Sequence, residues 1–247
     1  MKKFARILSV IMIVALMASL FASCKKEENV LKMGTNAAFP PYEYYEGDKI
    51  VGIDAEIGAL IAEKLGMELE IVDMDFNGII AAVQNGTIDM GMAGMTVNEK
   101  RLKSVNFSTT YATGVQVVIV KEGSDIKSID DLAGKKIGVQ EATTGDIYAT
   151  DDFGEDAVSR YVNGAAAVRD LQNGTVQAVI IDNEPAKAFV AANEGLTILE
   201  TEYAVEDYAI AVSKEDTELL EKINKAIAEL EAEGKIDEII NKYIPAE

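Results

Sequence analysis

The feature that most limits how this chain can fold is a repeated exit from helix to strand. Gln84-Asn85-Gly86-Thr87 and Gln172-Asn173-Gly174-Thr175 each close a helix-like stretch and open a strand-like one. The first links residues 78–84 to 89–93, and the second links 165–172 to 178–181. Asn-Gly suits the left-handed conformation that ends a helix. Two copies of one supersecondary step predict an α/β chain built as two lobes on a common plan.

The remaining pattern fits that frame. Residues 31–35 read as a first strand. Residues 54–65 place Ile57, Leu60, Ile61 and Leu65 on one helical stripe that stops at Gly66. Residues 67–72 alternate Met67, Leu69 and Ile71 with Glu68 and Glu70, a half-buried strand. In the second half, residues 137–140 form a strand after the turn Gly134-Lys135-Lys136, and a helix starts at 145–149. Two helices close the chain at 218–233 and 237–243, split by Gly234, with Leu219, Leu220, Ile223, Ile227 and Leu230 on one face of the first. No Pro-rich or Gly/Ser-rich linker separates the lobes. Continuous strands are therefore expected to join them, and 115–120 and 208–212 are the apolar runs available. Two such crossings make a hinge. The expected division is 30–116 with 210–247 as lobe one and 117–209 as lobe two, with a ligand cleft between.

The N-terminus has a different character. Lys2, Lys3 and Arg6 precede an apolar run over 7–21, broken only by Ser9 and Ser19, and Ala22 and Ser23 then lead to Cys24. A basic start, an apolar core and a small-residue exit form an export signal over 1–23. The run is shorter than the roughly 20 apolar residues that span a bilayer. Cys24 is the only cysteine, so no internal disulfide can form, and the polar stretch Lys25, Lys26, Glu27, Glu28, Asn29 follows it. The arrangement resembles a bacterial lipobox, with Phe21 where Leu is commoner. That resemblance implies lipidation at Cys24, a polar tether over 24–29 and a protein held outside the cytoplasm on a membrane. Loss of three positive charges with the leader moves the formal charge from −19 to −22, which disfavours nucleic acid as a partner. The chain has no His, so imidazole or thiol catalysis and a transition-metal site lack their usual groups. No metal and no cofactor are expected, and a monomer is.

Four segments place polar or aromatic groups where strands end or helices begin, the edge at which α/β sheets bind ligands. Gly34-Thr35-Asn36-Ala37-Ala38-Phe39-Pro40-Pro41-Tyr42 holds an aromatic rigidly in a loop, as a stacking platform or as a cover for its own core edge. Phe76 stands just before a helix, where it can staple the helix entry. Gly94-Met95-Thr96 is followed by Arg101, whose planar fork matches a carboxylate or caps a surface helix. In the other lobe, Gln140-Glu141-Ala142-Thr143-Thr144-Gly145 is a strand-to-helix turn favouring an anion. Asp182, at a strand end, can receive an ammonium or cap a helix.

These segments, in this order, resemble the family 3 solute-binding proteins, periplasmic receptors for polar amino acids, over essentially the whole chain from Lys32 to Tyr243. The most specific matches are Gly34 to Glu43, Gly94 to Arg101 and Gly134 to Gln140. The resemblance implies a type II periplasmic-binding-protein fold and a function in binding, with an ABC permease and its cytoplasmic ATPase as partners. It implies that Phe39 and Phe76 sandwich the ligand side chain, with Met95 within the same site. Gly94, through its backbone, and Thr96 hold the ammonium and carboxylate. Arg101, with Thr143, binds the α-carboxylate, Asp182 pairs with the α-ammonium, and Asn36 and Gln140 line the side-chain end. Relatives that bind lysine or arginine commonly carry an acid where this chain has Asn36, so an uncharged polar ligand, glutamine first, is expected. Glu43 and Glu141 lie near in sequence and keep an arginine or lysine receptor as the alternative. An enzyme on the same fold, such as a periplasmic dehydratase, would need a free pocket acid or base that the residues do not offer.

Overall fold

The computed structural model describes residues 29–199 and 203–245. The expected leader and Cys24 lie outside them. Among the described residues no helix is long and apolar enough to cross a membrane.

Strand β1 (Val30–Thr35) buries Leu31 and Met33. The segment after it, expected as a loop, forms a small antiparallel sheet of β2 (Ala38–Phe39), β3 (Glu43–Glu46) and β4 (Lys49–Val51). Its physical reason is a hairpin: Tyr44-Tyr45 and Ile50-Val51 are strand formers that flank a turn with Gly47 at φ 62°. Helix α1 (Ile53–Leu65) buries Ile57 and Ile61 and ends at Gly66 in the left-handed conformation, as the apolar stripe predicts. Then come β5 (Glu68–Asp73), α2 (Phe76–Gln84) and β6 (Met90–Gly91). Strand β6 is shorter than the 89–93 run suggests, because Gly94 at φ 50° turns the chain out of the sheet.

A short helix α3 (Glu99–Leu102) leads into β7 (Val105–Lys121), which is 17 residues long. The second half repeats the strand and helix order through β8 (Ile137–Gln140), α4 (Thr144–Phe153), β9 (Val158–Tyr161), α5 (Gly164–Asn173), β10 (Ala178–Asp182) and α6 (Asn183–Ala192). After β11 (Leu196–Ile198), β12 (Ala204–Ser213) crosses back, and α7 (Thr217–Ala232) and α8 (Lys235–Tyr243) pack against α1. The repeated exit is real: α2 leaves through Gly86 at φ 72° and α5 through Gly174 at φ 80°.

The large sheet runs β5-β1-β6-β12-β7-β10-β8-β9, with β11 also on β7. Strand β7 pairs along its early residues with the end of β12, and along Gln116 to Ile119 with β10. Both long strands thus run from one α/β half into the other, which is the continuous connection expected. The register of the β7–β12 pair shifts at Tyr208 and Ala209, and there Gly114 makes room for the fully buried Tyr208. A Cβ on Gly114 would fall 2.1 Å from the tyrosine hydroxyl oxygen. Beyond that point Val117 and Ile119 face one core while Val118 and Val120 face another. Burial of both faces explains an unbroken apolar run where an exposed strand would alternate.

Candidate ligand-binding cleft

Strand ends from both halves converge on one small cavity, at the edge where α/β sheets bind ligands. One half contributes Asn36 from the end of β1, Phe39 of β2, Glu43 of β3, Phe76 at the start of α2, Ala93, Gly94 and Thr96 after β6, and Arg101 of α3. The other contributes Gln140 at the end of β8, Thr143 and Thr144 at the head of α4, and Asp182 at the end of β10. Nine of the ten expected residues therefore share one cavity wall. The exception is Met95, whose side chain is fully buried in the core with Ile79 and Val105. The turn at Gly94 sends it into that core while Gly94 and Thr96 line the cleft.

Arg101 does not cap a surface helix. Its side chain is buried, Nη1 donates to the Thr96 carbonyl at 2.7 Å and Nη2 donates across the cleft to the Ala142 carbonyl at 3.1 Å. The guanidinium also lies over the Phe76 ring, 5.2 Å from its centroid, an arrangement that favours a cation. No carboxylate lies within ion-pair distance of Arg101 among the described residues. Burial lowers its pKa to about 10, against the opposing pull of Glu206 and Asp182. A buried cation without a counter-ion is costly unless an anion arrives.

Asp182 occupies the N-cap position of α6 but makes no side-chain cap bond. It turns inward, is buried, and accepts from the Tyr208 hydroxyl. Burial first and the neighbouring Glu206 second raise its pKa to about 7. A second acidic pair lies on the other half. Asp54 accepts from Gly94 N–H at 2.8 Å and from the Tyr111 hydroxyl at 2.9 Å, and burial still lifts it to about 6. Glu43, fully buried, is held well above the ordinary carboxyl range by desolvation and by Asp54. With Glu43 protonated the two carboxyls hydrogen-bond each other, and Glu43 Oε2 and Asp54 Oδ1 have no other donor among the described residues. The Gly94 amide is committed to Asp54, so a backbone contact from Gly94 to a ligand falls to its carbonyl. A Cβ there would approach the Phe39 ring to 2.9 Å.

The two halves meet across the cleft. Gln140 Nε2 donates to Asn36 Oδ1 at 3.0 Å while Asn36 Nδ2 donates to the Met74 carbonyl at 2.9 Å. Asn77 Nδ2 donates to Glu141 at 3.0 Å in an exposed bridge, so Glu141 is outside the cavity wall and Glu43 is inside it. Thr143 spends its hydroxyl locally, donating to the Gln140 carbonyl and accepting from Asp146 N–H. Its neighbour Thr144, missed by the sequence reading, donates to Glu206 at 2.9 Å. Glu206 and Asp54 were missed as well.

The model of the bacterial extracellular solute-binding proteins, family 3, matches residues 31–246. The arginine-binding extracellular protein ArtP of Bacillus subtilis (strain 168) is 34% identical over 223 residues, covering 88% of this chain and 87% of that protein. An ancestral arginine-binding protein solved bound to glutamine superposes with a TM-score of 0.84 at 42% identity, over 88% of this chain and 99% of that one. The arginine-, lysine-, histidine-binding protein ArtJ of Geobacillus stearothermophilus gives 0.84 at 35% identity, over 88% and 96%. The fold is that of the type II periplasmic binding proteins, two α/β lobes joined by crossing strands. The chain belongs to the bacterial extracellular solute-binding proteins, family 3, and is a solute-binding receptor rather than an enzyme.

Proposed function

We propose that this receptor captures a free amino acid and delivers it to an ABC permease and its cytoplasmic ATPase, and that the amino acid is arginine. A free amino acid is a zwitterion, and burying it requires a cation for one end and an anion for the other. Arg101 and Asp182 meet that need from opposite halves, with the lobes taken as 30–116 with 210–247 and 117–209. Only a closed cleft offers both groups, so the ligand stabilises closure. Phe39 and Phe76 flank the side chain, Thr96 and Thr143 assist the carboxylate, and Asn36 and Gln140 meet its far end. The protein works as a monomer, tethered outside the cytoplasm through lipidated Cys24.

The choice of arginine over glutamine is carried by Glu43. Asn36 is neutral, which alone favours glutamine. Glu43 nevertheless brings into the cavity wall a buried carboxyl hydrogen-bonded to Asp54, and a cationic side chain beside it would draw off the proton that the pair shares. A guanidinium supplies the missing cation. The arginine-binding relatives support this reading, as does the ancestral protein, which has been solved with arginine as well as with glutamine. Glutamine is the second reading, favoured by the Asn36–Gln140 pair.

Calorimetric titration decides between them. Arginine is expected to bind more tightly than glutamine, and Glu43→Gln to weaken arginine by at least tenfold, as loss of a hydrogen bond to a charged group does, with glutamine changed about threefold or less. A wild type that prefers glutamine, or a Glu43→Gln protein with unaltered arginine affinity, would refute the assignment.

A further inference from the structure

Glu206 stands on β12 opposite Gly114, where the two long strands cross, and is 3% exposed. Its partners reach it from both halves. Thr96 of the first half is fixed beside β12 by backbone bonds on either side of it. Val97 N–H donates to the Asp207 carbonyl and Ala209 N–H to the Met95 carbonyl, each at 3.1 Å. From that position Thr96 Oγ1 donates to Glu206 Oε2 at 3.1 Å, and Gln116 Nε2 donates to the same oxygen at 2.9 Å. Across the cleft, Thr144 Oγ1 of α4 donates to it at 2.9 Å. The Tyr148 hydroxyl, one turn further along α4, hydrogen-bonds the same carboxyl.

What fixes each donor separates these bonds into two kinds. Thr96 shares backbone bonds with β12, so its hydroxyl stays beside Glu206 whether the cleft is open or closed. Thr144 and Tyr148 lie one turn apart on a single face of α4, and the head of that helix walls the cavity from the other half. Parting the halves draws both hydroxyls away from Glu206. The acid itself does not line the ligand cavity. Thr96 and Thr144 do, and Thr96 also walls a separate, open groove together with Tyr148 and Glu206. The carboxyl is therefore one side chain removed from the ligand.

We propose that Glu206 is a positioning residue for closure of the cleft: it ties α4 of one half, through Thr144, to the Thr96 segment of the other, and so holds the receptor shut on its ligand. The inference rests on the reading above, in which an amino acid is bound between the halves, and not on which amino acid it is. An ionised carboxylate only accepts hydrogen bonds, so closing brings the α4 hydroxyls onto an acceptor that has no donors of its own to compete. The gain belongs to the closed form alone and is the same for every ligand that requires closure. Its loss weakens all such ligands by one common factor. The effect falls on release, since the open form that admits the ligand is unaltered.

Stopped-flow measurement of association and release, with arginine and with glutamine, tests it on wild type, Glu206→Ala, Tyr148→Phe and the double variant. Tyr148 is outside the ligand cavity, and loss of its hydroxyl leaves the ring packed on Tyr203. Glu206→Ala is expected to release both amino acids at least about tenfold faster, as loss of hydrogen bonds to a charged group does. The two factors should agree within about twofold, with association changed about twofold or less. Tyr148→Phe should speed release about threefold or more, and should add almost nothing in the Glu206→Ala background, because its partner is gone. Unchanged release in either single variant would overturn the inference. So would full additivity of the two substitutions, or a loss confined to one amino acid, which would make Glu206 a recognition residue. If Glu206→Ala does not fold, the release rate of Tyr148→Phe alone decides. A wild type that binds neither amino acid would instead overturn the amino-acid reading itself, and this inference with it.

Discussion

Affinity for the amino acid should fall steeply in acid, and Asp182 fixes by how much. In the free protein its pKa is about 7, raised by burial and by Glu206, with Tyr208 donating against the shift. An α-ammonium at that carboxylate requires the ionised form and holds it ionised. The observed association constant is then reduced by a factor of one plus ten to the power of (pKa minus pH). At pH 8 the reduction is about 1.1-fold, at pH 7 about twofold, and at pH 5 roughly a hundredfold, or about 3 kcal/mol. The same linkage releases about one proton per ligand at pH 5 and roughly a tenth of one at pH 8. Glu43, which sits well above the ordinary carboxyl range, adds a further release when the ligand brings its own side-chain cation. Calorimetry with arginine at pH 5, 6, 7 and 8, in two buffers of different ionisation enthalpy, measures both quantities. Asp182→Asn is the control and should bind weakly, with the Asp182 share of the pH response gone. A dissociation constant constant to within about threefold from pH 5 to 8, with no proton released, would refute the linkage. So would an Asp182→Asn protein that binds as well as wild type.

Removal of Arg101 as Arg101→Ala is expected to cost about 3 to 5 kcal/mol of binding energy, because the ligand carboxylate would be buried without its partner. The free protein should melt no lower, since an uncompensated buried guanidinium has been removed; calorimetry and a melting curve check the two halves of the statement. Asn36→Asp adds a charge where Gln140 donates and should strengthen arginine while weakening glutamine. If neither affinity moves, Asn36 does not face the ligand side chain. Gly114→Ala forces a Cβ to 2.1 Å from the Tyr208 hydroxyl oxygen, and overpacking of this kind costs about 1 to 3 kcal/mol, read as a lower melting temperature. Stability of the free protein should also decline from about pH 4 to pH 7. Asp182 and Asp54 have folded-state values of about 7 and about 6 against an ordinary 3.8, so the folded state binds more protons in that window. The stability they supply is complete below the ordinary value and lost as pH rises through the folded ones. Chemical unfolding at pH 5 and pH 8 measures it, and a free protein more stable at pH 8 than at pH 5 would contradict the two shifts.

What was legible in the sequence, and what was not, divides along a physical line. The cleft residues that could be named stand at strand ends and helix starts. There Gly94, Arg101, Thr143 and Asp182 interrupt a pattern, and a polar residue has no core to serve. Of the missed ones, Asp54 and Thr144 stand in the first turn of a helix and Glu206 inside a strand, and the burial of Glu43, named only for its nearness in sequence, could not be read either. Glu43 opens β3 and is almost fully buried while Tyr45, on the same short strand, is half exposed. On β12 Glu206 is buried while Val205 faces water at 65% exposure. An amphipathic reading assigns the acid to solvent and the apolar residue to the core, the reverse of both cases. The available signal was parity: Glu206 lies two residues before Tyr208, so an inward Tyr208 requires an inward Glu206. Such inversions are expensive, because each exposes an apolar side chain and desolvates an acid. Glu43 hydrogen-bonds Asp54 in the cavity wall, and arginine is an amino acid with two cationic ends. Asp182 suits the ammonium, and Glu43 beside Asp54 suits the guanidinium. The buried Glu43–Asp54 pair therefore favours arginine over glutamine more strongly than Asn36, a single neutral residue, favours the opposite.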